Sequence, residues 1–304
     1  MSLINTANIG SQIDTMCIIF RILERSDGVM DASALMEVCR PESLAENPDQ
    51  AKRVPGELRF WGKEEHQLWQ YDTDKDQYQL VVRIGDEFRS PAGISSIVAE
   101  LLFGMSMETV LGKDAKLEGV DQLLATLSCL LAAPEFSNPI RADVSKNSLR
   151  NVLAKYLPSE CQLNDSELPV ALEYAHFLGF LEPWDAVRYG VDPTTIVSTA
   201  LTTVLGSKES MPLDECIYEL GKAVPVLDGG RVRIEVEAAM EEAGFVSNPP
   251  GKISTSLSHA LYRLRLAGMI KLEEKKSDDL RSATLSIPSR ELQYSRVMLL
   301  KAGA

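Results

Sequence analysis

The side chains best suited to chemistry cluster after Ile253. There Ser258, His259, Tyr262, Arg263 and Arg265 fall away from the Leu257, Leu261 and Leu264 positions of a 3.6-residue repeat, so polar and basic groups are predicted to face outward. Arginine can bond guanine edges in a major groove, and cations in a neighbouring loop can meet phosphate. Lys252, Lys275, Lys276 and Arg281 are candidates for that second role. These nine form the predicted nucleic-acid-binding set, directed at double-stranded DNA through residues 251–304. A solvated helix face is the competing reading, which Glu273, Glu274, Asp278 and Asp279 in the same loop support. A second basic group, Lys52, Arg53, Arg59 and Lys63, is interleaved with Glu57, Glu64 and Glu65 and reads as ordinary surface.

Catalytic and metal patterns are incomplete. Asp72-x-Asp74-x-Asp76 matches the opening of a calcium loop, but Gln77 stands where glycine is needed and Arg83 where a bidentate glutamate is needed. A charged hairpin tip is the better expectation. Glu273-x-Lys275 has an acid-x-lysine spacing that metal-dependent nucleases use, and Asp228 is one suitable upstream Asp, yet such an acid occurs in almost any chain and the pair reads as solvated wing residues. The three histidines, His66, His176 and His259, are too scattered for a ligand pair. Neither a phosphate-binding glycine loop nor a nucleophile elbow occurs. The expectation is a non-enzyme with no catalytic residues, no metal site and no cofactor.

The elements that must position these groups are legible from apolar spacing. Met16, Ile19, Phe20 and Leu23 predict one helix, and Ala32, Leu35, Met36 and Cys39 a second, with Asp31 as its N-cap and Arg40-Pro41 as its stop. Pro55 suits the first turn of a third helix through Leu58 and Trp61. The runs Leu68 to Tyr71 and Tyr78 to Val82 predict a hairpin. Helices are expected at 93–111, 119–132, 145–157 and 166–178. Leu213, Cys216, Ile217 and Leu220 give another, and Leu257, Ala260, Leu261 and Leu264 the last, with Ser254 or Ser256 as its cap. Gly179 and Gly268 each follow a helix and precede a strand-like run, 269–272 in the second case, which predicts a recurring junction between helix and hairpin. Residues 283–287 would return along 269–272, with 273–282 as the loop between. The fold class expected is mainly α (α+β): tandem winged-helix-like units at 1–90 and 191–304, joined by a helical middle domain at 91–190 that ends in a wing-like hairpin.

The 304 residues carry a net charge of −13, which excludes a protein that coats nucleic acid with its whole surface. Residues 251–304 differ, with 10 basic side chains against 5 acidic. The third helix of the middle domain, 167–178, has no Lys or Arg, which favours a protein partner there. No apolar run reaches membrane-spanning length, and five cysteines without a C-x-x-C pair suit reduced thiols. A cytoplasmic protein without membrane contact is expected.

Val224-Pro225-Val226-Leu227-Asp228-Gly229-Gly230-Arg231-Val232-Arg233, with the opening Ser2-Leu3-Ile4-Asn5-Thr6, resembles the DpdG accessory proteins of bacterial clusters that place deazaguanine bases in DNA. Read physically, residues 224–230 are a strand ending in a Gly-Gly turn. The resemblance implies a non-catalytic subunit beside ATPases, helicases and nucleases, in restriction of foreign DNA and antiviral defence. The expected function is an adaptor that joins the protein subunits of such a complex and touches DNA through its C-terminal winged helix. The alternatives are a transcription regulator, or a winged-helix subunit of a chromosome-organising ATPase complex, which requires a homodimer.

Overall fold

The computed structural model describes residues 3–4, 12–39, 48–64, 67–81, 91–105, 109–111, 119–137, 140–141, 148–185, 188–279, 281–287 and 290–300. The chain divides into two compact units, one of residues 1–106 with 117–120, the other of 107–116 with 121–304. Among the described residues it is mainly helical with three small sheets, and every pairing between named strands is antiparallel.

The first unit runs α1 (Ile13–Arg25), β1 (Val29–Asp31), α2 (Ala32–Cys39), α3 (Pro48–Phe60), β2 (Trp69–Asp72), β3 (Gln77–Leu80) and α4 (Pro91–Gly104). Met16, Ile19, Phe20 and Leu23 form the buried stripe of α1, as their spacing requires. Beneath the hairpin, Trp69 is fully buried and its indole N–H donates to the Leu58 carbonyl at 3.0 Å. Two local expectations fail. Asp31 caps nothing: it is the last residue of β1, its carboxylate accepts from the Gln77 side chain, and the Ala32 amide donates instead to the Asp76 carbonyl. Pro55 lies in the interior of α3, because the helix begins a turn and more earlier at Pro48, itself a suitable first-turn residue.

The second unit contains two element sets. The first comprises α5 (Val120–Ala132), β4 (Ile140–Arg141), α6 (Ser148–Tyr156), α7 (Glu167–Phe177), β5 (Leu181–Pro183) and β6 (Arg188–Val191), with strand order β4-β6-β5. The other comprises α8 (Thr194–Leu205), β7 (Met211–Pro212), α9 (Leu213–Ala223), α10 (Arg231–Glu242), α11 (Thr255–Leu266), β8 (Ile270–Glu274), β9 (Ala283–Ile287) and β10 (Arg290–Leu299), with order β7-β10-β8 and β9 also paired to β10. The first unit has the equivalent order, β1-β3-β2. The chain thus presents twice the succession helix, strand, helix, helix, strand, strand, and the last set repeats it with one more helix and one more strand; in all three the last strand is central. The expected junction recurs too. Gly179 and Gly268 have φ of +83° and +70°, and in each the following amide, Phe180 or Met269, donates back to the carbonyl five residues earlier, at 2.8 and 3.0 Å.

Sequence reasoning misses three features of the last set. Residues 224–230 are not a strand but a chain of turns, and the helix α10 follows them. The hairpin is not β8 with β9. Ten-residue β10 pairs with β9 through Arg290 to Tyr294 and with β8 through Tyr294 to Leu299, so both strands use it as partner.

Candidate nucleic-acid interface

Helix α11 forms where expected, and its start is built by two residues from different segments. The Ser254 hydroxyl accepts from the Leu257 amide and donates to Asp228, whose carboxylate also takes the Ser254 amide. Asp228 is therefore the anchor of this helix rather than a partner of Glu273-x-Lys275, and Glu273 pairs with Lys271 at 3.5 Å.

The outward face predicted for α11 is largely closed by internal partners. Ser258 is buried, and its hydroxyl accepts from the Ser286 amide at 2.8 Å; a small polar side chain fits there because β9 packs directly on the helix. His259 is half-buried, and desolvation lowers its pKa, which disfavours the cationic form that a phosphate would attract. The Tyr262 hydroxyl accepts from Arg290. Arg263 is half-exposed yet ion-paired to Asp192, with Glu182 at 4.0 Å. Arg265 donates to the Tyr294 hydroxyl at 2.9 Å and lies over the rings of Tyr262 and Tyr294. Of the four presumed phosphate contacts, Lys252 pairs with Glu291 at 2.6 Å and Arg281 with Asp214 at 2.9 Å. Lys275 and Lys276 alone of the nine are exposed cations with no ion pair among the described residues. Of the ten cations in 251–304, four thus pair with carboxylates and three bond hydroxyls of the same unit.

The group set aside as ordinary surface has the opposite fate. Glu57, counted as an acid that would cancel Lys52, Arg53 and Arg59, is fully buried and accepts from the Gln12 amide. Lys52, Arg53 and Arg59 are exposed, and none makes an ion pair among the described residues. Helical geometry carries the signal that could have found this: Glu57 stands about 140° around the helix from Lys52, on the side of buried Val54 and Trp61, whereas Arg59 stands about 20° from it.

The Asp72, Asp74 and Asp76 group forms a hairpin turn. Asp72 accepts from the amides of Asp74 and Lys75 and pairs with the Lys75 ammonium, while Asp76 accepts from the Tyr71 hydroxyl. Among the described residues no three His, Cys, Asp or Glu side chains are grouped to hold a metal ion. An open groove of about 370 Å³ includes Asp214, Asp228 and Glu237 in its wall. Arg281, Ser254 and Arg233 respectively engage those carboxylates.

The segment 224–233 is a structural keystone. A Cβ on Gly230 would lie 2.4 Å from the Pro225 carbonyl oxygen and 2.8 Å from that of Gly221, so only glycine lets this turn press on α9. Arg233 is almost fully buried, bonds Glu237 at 2.7 Å and reaches the Ser128 carbonyl at 3.4 Å, linking α10 to α5. Two residues on, Glu235 accepts from the amides of Val110 and Leu111. Asp228 and Arg233 of this run are both directed to holding helices together. A family model described as DpdG-like matches residues 1–279. No curated protein and no solved structure matches the chain.

Proposed function

Because the chain belongs to the DpdG-like family, we propose that it is a non-catalytic adaptor subunit of a bacterial DNA modification and defence machinery, built from three winged-helix modules. The observation that carries this reading is the succession helix, strand, helix, helix, strand, strand, which occurs twice and recurs in the last set with one helix and one strand more, each time with its last strand central in the sheet. That is the winged-helix order, and a tandem of such modules is a scaffold with several separate docking faces. The first set of the second unit favours protein over DNA: its third helix, α7, has no Lys or Arg and exposes Glu173, and beside it the hairpin tip exposes Trp184 at 64%. An exposed tryptophan on an acidic face is a natural protein anchor. The C-terminal module's share in DNA contact is confined to Lys275 and Lys276 of its charged loop. The non-catalytic part of the reading is supported by the open groove, whose carboxylates Asp214, Asp228 and Glu237 are engaged in a cap and in ion pairs.

The test is co-expression of the tagged chain with the proteins encoded beside it, followed by purification and native mass determination. The expected result is a complex of fixed stoichiometry that loses assembly on Trp184→Ala, and host restriction of foreign DNA that disappears on deletion and returns with the intact chain. A chain that purifies alone, or that itself turns over nucleotide or cuts DNA in a manner abolished by one point substitution, overturns the reading.

A further inference from the structure

We infer that the first unit carries the chain's principal DNA contact, a duplex-backbone site formed by Lys52, Arg53 and Arg59 on the exposed face of α3. This rests on the reading above that the protein works beside DNA. Three independent features converge on this face. The first is position: α3 is the third helix of its module and precedes the β2–β3 hairpin, the place from which a winged helix enters a major groove about 12 Å wide. The second is charge. Residues 1–90 hold 10 basic against 16 acidic groups, so the surface as a whole repels phosphate. On α3, though, Glu57 is turned into the core, and three cations stand exposed with no ion pair among the described residues. The third is shape. Lys52 and Arg59 lie about 10.5 Å apart along the axis and nearly in line, and the positions between them on that side are half-buried Pro55 and buried Gly56, neither of which carries a long side chain. No bulky side chain therefore stands between the two cations, and both can reach phosphates of one duplex.

The contact is small and electrostatic. The hairpin tip carries Asp72, Asp74 and Asp76 against one lysine, so it stays clear of the backbone and the helix alone engages. Three cations release counterions from about three phosphates, which predicts a log affinity that falls with log salt at a slope near −2.7.

Fluorescence anisotropy of the full chain with a ~20-base-pair duplex, between about 50 and 200 mM NaCl, tests this. The parent should lose about 40-fold in affinity over that range through these contacts, and the Lys52→Ala, Arg53→Ala, Arg59→Ala triple variant should lose most of that salt dependence. Because all three side chains are exposed, its melting curve should match the parent's. The charge-conserving triple, Lys52→Arg with Arg53→Lys and Arg59→Lys, should retain the slope. The inference is overturned by salt-independent or absent binding in the parent, by a triple-Ala variant that keeps the parent's slope, or by loss that follows Lys275→Ala with Lys276→Ala instead. It is equally overturned if the charge-conserving triple fails as badly as the Ala triple. Assembly with protein partners is scored separately, so a chain that assembles but ignores DNA refutes this site and leaves the adaptor reading in place.

Discussion

Substituting the two adjacent glycines of the family-like segment separates close packing from backbone conformation. Gly230 has φ −72°, which any residue adopts, so Gly230→Ala is opposed only by space: its Cβ would sit 2.4 Å from one carbonyl oxygen and 2.8 Å from another. Both obstacles are backbone, held by α9 and by the turn, and must move by most of an ångström. Overpacking of side chains costs ~1 to 3 kcal/mol, and a clash against two backbone oxygens belongs at or above the top of that range. For a unit of this size, ~3 kcal/mol corresponds to a fall in Tm of roughly 6 to 12 °C. Gly229 is the reverse case, with φ +75° and nothing within 4 Å of the added atom. Gly229→Ala should cost ~1 to 2 kcal/mol from the left-handed conformation alone, and Gly229→Asn less, because asparagine tolerates that region. Gly221→Ala meets the Gly230 amide at 2.7 Å from the other side, so it should resemble Gly230→Ala, and the double variant should cost well under the sum. Calorimetry of the parent and the five variants decides. Equal losses at 229 and 230, or a Gly230→Ala melt within ~2 °C of the parent, would show that the contact between this turn and α9 does not contribute to stability as described.

Two further outcomes follow from buried groups. Arg233→Ala strands the Glu237 carboxylate and opens a gap beside α5, at a cost of ~3 kcal/mol, whereas Arg233→Met refills the volume and should recover more than half; urea midpoints that place Met no better than Ala would refute the packing role of the arginine stem. Burial pushes the Cys129 and Cys216 thiols up to about 12, so they stay neutral in the folded chain at pH values where an unfolded thiol ionises. A raised folded pKa gives stability that is complete below pH ~9 and lost above it, at ~1.4 kcal/mol per thiol by pH 10; equilibrium unfolding that is flat from pH 8 to 10, or rapid alkylation of both thiols in the native protein, would contradict this.

Most helices are legible in the sequence, because a 3.6-residue stripe such as Met16, Ile19, Phe20 and Leu23 reports burial directly, although α8 and α10 escape that reading. The glycine closures at 179 and 268 were legible for a similarly local reason: the left-handed turn is encoded by one residue. What failed depended on distant partners. The succession Val224 to Leu227 is apolar enough for a strand, but no free strand edge meets it, and the turn is instead fixed by Gly221 and by Asp228 bonding to Ser254. Likewise β9 looked like the return strand of β8, since nothing local announces that β10 is long enough to take both. Asp31 had the chemistry of a cap, yet the hairpin claimed both its carboxylate and the amide after it.

The candidate site shows the same division more sharply, because charge counted along a chain says nothing of where its counter-charge lies. Residues 251–304 carry the larger local surplus, yet Lys252, Arg263 and Arg281 each find a carboxylate at Glu291, Asp192 or Asp214, and of these only Glu291 lies within the counted window. Around Lys52 the window total was unfavourable, and the fold improves it by burying Glu57. A half-exposed arginine already held by a carboxylate gains little from a phosphate, since one ion pair is exchanged for another. An unpaired cation gains the whole interaction and releases a counterion. On the proposal made above, the surface able to bind a polyanion is set by the cations that remain unpaired after folding, and among the described residues α3 offers three of these against Lys275 and Lys276 in the more basic tail of the sequence.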